Sequence, residues 1–133
     1  MKSILLMLPL CGLVIAAVSQ AQEGDKDKKA LEGTWIVVSA ALDGKAVASS
    51  KGDKFTFQGD KVTIENKVKK TDPVTFKLDA SKTPKQIDFD EKTPSKGIYQ
   101  FEKDLLWICY GSKRPDGFKS SSGLLLVLKR ENK

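Results

Sequence analysis

The chain has 133 residues, 40% of them hydrophobic and 30% charged, with a formal net charge of +6 and no histidine. That length carries one domain, and the apolar share is too high for a disordered chain. Without histidine there can be no Ser-His-Asp or Cys-His relay, no His-ligated zinc and no His-held haem.

The first segment reads as an address. Lys2 precedes an uncharged run of 15 residues from Ile4 to Val18, interrupted by Pro9 and Gly12. A spanning helix needs about 20 apolar residues, so the run suits a secretory signal better than a membrane span. Ser19 and Ala21 supply the small residues of a cleavage site before Gln22. A retained anchor and a lipoprotein site at Cys11 are the rival readings. Against the second, Leu10 is bulky where such a site wants a small residue, and apolar sequence continues past Cys11. The expectation is an exported protein, periplasmic or secreted, with no transmembrane span in the mature chain. Removing residues 1–21 takes away one Lys and no acid, leaving +5 over 112 residues with Cys109 as the sole cysteine. No internal disulfide can then form. Cys109 sits in the apolar run Leu105 to Tyr110, which points to a buried, inert thiol.

Residues 22–31 read as a polar tether and residues 32–133 as a single domain of short strands. Thr34 to Leu42 is the first, ended by the tight-turn pair Asp43-Gly44. Lys54 to Gln58 and Lys61 to Glu65 follow, joined by Gly59-Asp60, then Val74 to Leu78 and Gln86 to Asp90. Gly97 to Phe101, Leu105 to Tyr110 and Leu124 to Arg130 complete the set of eight. In the middle strands Phe55, Phe57, Val62, Ile64, Val74, Phe76, Leu78, Ile87 and Phe89 alternate with polar residues. A period of two means one dry and one wet face, as in antiparallel sheets. No helical window of useful length follows the signal. Eight short strands joined by tight turns predict an all-β fold, an eight-stranded up-and-down antiparallel barrel, because closure removes exposed edges. A β-sandwich is the alternative.

The first strand and the last two are apolar on both faces. Such strands need an outer cover or they present a patch. The long loop Gly111 to Ser122 can supply that cover through Phe118, and a binding patch is the competing reading.

Gly33-Thr34-Trp35 opens the first strand, and Arg130 ends the last one in phase with Leu124, Leu126 and Leu128. Gly-x-Trp with a basic residue at the end of the last strand resembles the lipocalin barrel signature. That resemblance implies a barrel-closing pair in which Arg130 packs across Trp35 as a cation–π contact. A longer match runs through Leu31-Glu32-Gly33-Thr34-Trp35, Asp43-Gly44-Lys45, Lys77-Leu78-Asp79 and Pro84-Lys85-Gln86-Ile87-Asp88. It continues through Gly97-Ile98-Tyr99, Cys109-Tyr110, Arg114-Pro115 and Leu126 to Arg130. In this combination and order the chain is similar to a lipocalin-like domain family of uncharacterised function, abundant in planctomycete bacteria. The resemblance implies an exported barrel and carries over no catalytic residue, no cofactor and no metal.

Chemistry elsewhere is sparse. Asp88, Asp90 and Glu91 cluster, but Asp88 and Asp90 alternate with Ile87 and Phe89 and are flanked by Lys85 and Lys92, which fits a solvated charged face. The acids lack the spacing around a glycine that a calcium loop requires. An enzyme is not expected. Nucleic-acid binding is weighed because nine lysines face five acids between Lys51 and Lys85. The aromatics there take the dry side, and export separates the protein from cytoplasmic nucleic acid. Two readings stay open: a structural or interaction module of the cell envelope, and a carrier of a small apolar ligand in the barrel mouth. Trp35, Phe55, Phe57, Phe76 and Phe89 are the candidate interior set, able either to line a cup or to fill it.

Overall fold

The computed structural model describes residues 24–131. The signal segment, Cys11 and the cleavage site before Gln22 lie outside the described residues. Nine strands follow in order: β1 (Gly33–Leu42), β2 (Lys45–Ala46), β3 (Lys54–Gln58), β4 (Lys61–Glu65), β5 (Val74–Asp79), β6 (Gln86–Asp90), β7 (Ser95–Glu102), β8 (Leu105–Gly111) and β9 (Leu124–Arg130). Each strand from β3 to β8 pairs antiparallel with the next, β1 pairs with β3, and β1 also pairs with β9. That last ladder, Trp35↔Arg130 to Ala41↔Leu125, closes the sheet into an eight-stranded up-and-down antiparallel barrel of lipocalin-like form and excludes the sandwich. The eight expected strands are those of the barrel, with ends displaced by at most two residues. The two-residue β2 is an addition, folded back on β1 through the Asp43-Gly44 turn. Among the described residues no helix is long and apolar enough to cross a membrane.

Alternation places the core. Trp35, Val37, Phe55, Phe57, Val62, Phe76, Ile87, Phe89, Tyr99, Leu106, Ile108, Leu126 and Leu128 are buried together inside the barrel. A bulge between Val37 and Ser39 adds one residue to β1. It changes the phase, so the inward series Trp35, Val37 continues at Ala40, while Val38 is left exposed.

Two expectations change. The tether is in part a helix: residues 24–31 are helical. Asp27 and Leu31, four residues apart on one face, are both buried, at 7% and 0% exposure. The buried residue at the first of these positions is an acid, so hydropathy gives no period to detect. The helix is held by its docking, as expected for so short a segment.

The outer face of the last strands takes the expected cover, and the second change is how that cover is pinned. The loop between β8 and β9 lies across that face as a strap. Arg114 grips Asp88 with both terminal nitrogens, one of them at 3.3 Å from Oδ2, and donates to the Gly97 carbonyl at 3.0 Å. Asp88 is therefore the strap's anchor, although its place in the sequence reads as a solvated charged face. Phe118 packs edge-on against Trp107 with ring centroids 6.4 Å apart. Cys109 Sγ lies 3.5 Å from the Lys119 carbonyl, to which it donates. Farther along, Ser120 accepts at its carbonyl from Asp43 N–H and at its hydroxyl from Gly44 N–H. The strap thus covers Ile98 and Cys109, which are 1% and 0% exposed on the outer face, and it accounts for the two-sided hydropathy of β8 and β9.

Burial pushes the Cys109 thiol above its ordinary pKa, and the thiolate is the reactive form. Native protein should therefore label slowly with a thiol reagent and denatured protein fast. Equal rates, followed by mass spectrometry, would mean that the strap opens freely.

Candidate functional site

One end of the barrel is closed and the other forms a mouth. At the closed end the chain passes from the helix into β1 through Glu32 and Gly33. Three successive carbonyls at that junction receive side-chain donors: Arg130 donates to Ala30 and, at 2.7 Å, to Glu32, while Trp35 Nε1 donates to Leu31 at 2.9 Å. These are the carbonyls that a helix C-terminus leaves without backbone partners, and a cation there complements the helix dipole. The same guanidinium lies 4.3 Å from the centroid of the Trp35 ring. Gly33 sits at φ 113, and a Cβ there would lie 2.9 Å from the Arg130 Nη1, so the glycine makes room for the arginine. Gly33, Trp35 and Arg130 form one lock in which each residue depends on the others.

A second set of contacts holds the helix to the barrel. The Asp27 carboxylate accepts from Tyr99 Oη at 2.7 Å and from Lys85 Nζ at 3.0 Å. Tyr99 is fully buried, so its hydroxyl depends on this protein partner rather than on solvent. The Glu32 carboxylate also accepts from the Gly59 N–H at 2.9 Å, joining the helix end to the β3–β4 turn.

Inside the barrel, rings meet rings. Phe57 stands edge-on to Phe76 at 5.3 Å and tilted to Phe55 at 6.4 Å. Trp35 lies 6.3 Å from Phe101, and Phe89 lies 5.4 Å from Tyr110. All five candidate interior residues are at most 5% exposed. They do not surround one cup. Trp35 belongs to the closed end, Phe57 pairs opposite Gly33 and packs on Phe76 beside the helix that caps that end, and Phe55 and Phe89 line the pocket at the mouth.

The space left at the mouth is about 50 Å³, lined by Phe55, Val62, Ile64, Val74, Phe89, Glu91 and Tyr110. A drug-sized ligand needs roughly 300–1,000 Å³. This pocket takes a water or a small aliphatic group. Its Tyr110 phenol is pushed up from 10.0 to about 12, chiefly by burial, with Glu91 and Asp53 adding repulsion. In the unfolded chain Tyr110 ionises near its ordinary value, so the folded state loses stability as pH rises from about 10 to about 12. The loss is roughly 2–3 kcal/mol when complete. Tyr110→Phe should flatten the fall in denaturant midpoint across that window relative to the parent chain, and an identical fall in both would remove Tyr110 as its source.

A larger concavity lies outside the barrel. An open groove of about 680 Å³ at the closed end is lined by Ala30, Trp35, Phe101, Lys103, Asp104, Lys129 and Arg130. Only Trp35 and Arg130 among these were singled out from the sequence. Lys103 and Asp104 were seen merely as a turn, and no periodicity marks a groove assembled from a helix end, a hairpin and the last strand.

The geometry defines a closed, mostly filled antiparallel barrel with one capped end. No family model, curated protein or solved structure matches this chain.

Proposed function

We propose that this protein is an exported, non-enzymatic, lipocalin-like domain that serves as a structural or interaction module of the cell envelope, recognising partners with its surface rather than its interior. The observation that supports this reading is the filled barrel, with about 50 Å³ of space behind its mouth. Export is supported by the sequence of residues 1–21, and a lipocalin-like ancestry by the Gly33, Trp35 and Arg130 arrangement.

The carrier reading draws on the mouth pocket itself, which is lined mainly by apolar side chains. Two measurements test the proposal. Fractionation with intact-mass analysis should find the chain outside the cytoplasm, beginning at Gln22. A full-length cytoplasmic chain would overturn export, and a lipidated Cys11 would replace free export with a membrane anchor. Titration with neutral apolar ligands such as retinol should give no saturable binding. One-to-one binding that Val74→Phe abolishes would establish a carrier at the mouth instead.

A further inference from the structure

The groove at the closed end joins aromatic rings to an excess of cations. Its floor holds Trp35 and the partly buried Phe101, with rings 6.3 Å apart. Its walls carry three cations, Lys103, Lys129 and Arg130, against one carboxylate, Asp104. Among the described residues none of the three cations is in a salt bridge. Arg130 spends two donors on carbonyls, which fix its position and leave its charge unneutralised. Lys103 has φ 56 in the β7–β8 turn, a conformation in which glycine or asparagine costs less, so turn geometry does not account for a lysine there. A concave wall of one sign focuses potential on its floor. By contrast, the groove beside the start of the described helix sets Lys28 and Lys77 against Asp25 and Asp60 and is balanced in charge. The groove beside Pro84 carries Lys82 and Lys85 beside Tyr99 and Phe101, but Lys85 is already held by Asp27, so fewer uncompensated cations face it.

We infer that the closed-end groove binds a small anionic amphiphile, with its carboxylate or phosphate head between Lys103, Lys129 and Arg130 and its apolar body against Phe101 and the edge of Trp35. The open volume of about 680 Å³ falls in the range of small-molecule sites. The inference rests on the proposed surface recognition, since a filled barrel offers such a ligand no interior. It puts the site at the end of the barrel opposite its mouth.

The test uses the mature chain carrying Trp107→Phe, which leaves Trp35 as the only tryptophan. Its emission is followed during titration with laurate, lauryl phosphate and lauryl alcohol, all below their aggregation limits. Saturable one-to-one binding of laurate or lauryl phosphate is expected, at least tenfold tighter than the alcohol, and the tighter of the two identifies the preferred head. The exposed pair Lys103→Glu with Lys129→Glu should weaken it at least tenfold while leaving the far-ultraviolet circular dichroism unchanged. Equal affinity for the alcohol, no saturable binding of either anion, or indifference to the charge reversals would overturn the site. Binding lost in Val74→Phe but kept in the charge-reversed protein would place the ligand at the mouth and overturn the filled-barrel reading as well. Binding kept in both variants overturns the groove alone.

Discussion

Trp35→Ala is expected to destabilise the protein by about 3–5 kcal/mol, the usual cost of deleting a large buried ring. Trp35 is 3% exposed, packs near Phe101, donates to the Leu31 carbonyl and carries the Arg130 guanidinium on its face. Its removal therefore leaves a cavity, an unpaired carbonyl and a cation without its ring. Arg130→Ala should cost less, about 1–2 kcal/mol, because the arginine is exposed and each contact is individually modest: a surface cation–π pair contributes about 0.5–1 kcal/mol and a cation at a helix C-terminus about 0.3–1 kcal/mol. Residues in direct contact do not add, so the double variant should lose about 1 kcal/mol less than the sum. Arg130→Lys keeps the charge but not the planar fork that reaches two carbonyls at once, and it should recover less than half of the loss. Urea unfolding of the four members of the cycle measures each quantity. Strict additivity would show that the two side chains act separately and that the closed end is not locked by this pair.

The barrel was legible because its strands obey a single rule, apolar in and polar out, and because Asp43-Gly44 and Gly59-Asp60 mark their turns. The lipocalin resemblance pointed to closure through Trp35 and Arg130, which pair directly between the first and last strands. What escaped the sequence shares one cause. The helix docks through Asp27, whose partners Tyr99 and Lys85 lie 72 and 58 residues away, and no local pattern announces that an acid will be buried. The strap hangs on Arg114 and Asp88, 26 residues apart, where the sequence offered only a loop and a wet face. Contacts of this kind exist only once the sheet has brought distant segments together. The groove is a third example, since its lining comes from the helix end, β1, the β7–β8 hairpin and β9, which are far apart in the chain. Two-sided hydropathy was a sound signal for a cover, and Phe118 was readable as that cover. The points that pin it were not.

The interior supplies the second large effect, and it bears directly on whether this barrel carries anything. Phe57 is 1% exposed and packs against Phe55 and Phe76 inside the barrel. Phe57→Ala should cost about 3–5 kcal/mol, the lost transfer energy of the ring plus the penalty for a void that the surrounding strands cannot fully close. The neighbours of that void are aromatic and aliphatic, so it should stay dry and accept a small apolar guest. Benzene or toluene added at millimolar concentration should therefore raise the thermal midpoint of Phe57→Ala and leave that of the parent chain unchanged, as mass action requires for a ligand that binds only the folded variant. Stabilisation of both proteins would mean that the native barrel already holds space beyond the 50 Å³ at its mouth. Stabilisation of neither, with a loss well under 3 kcal/mol, would mean that the barrel collapses onto the vacated space, a softer core than its interlocked rings imply. The expected pattern, a guest taken only after a ring is removed, makes the aromatic residues themselves the occupants of the site where a carrier would hold its ligand.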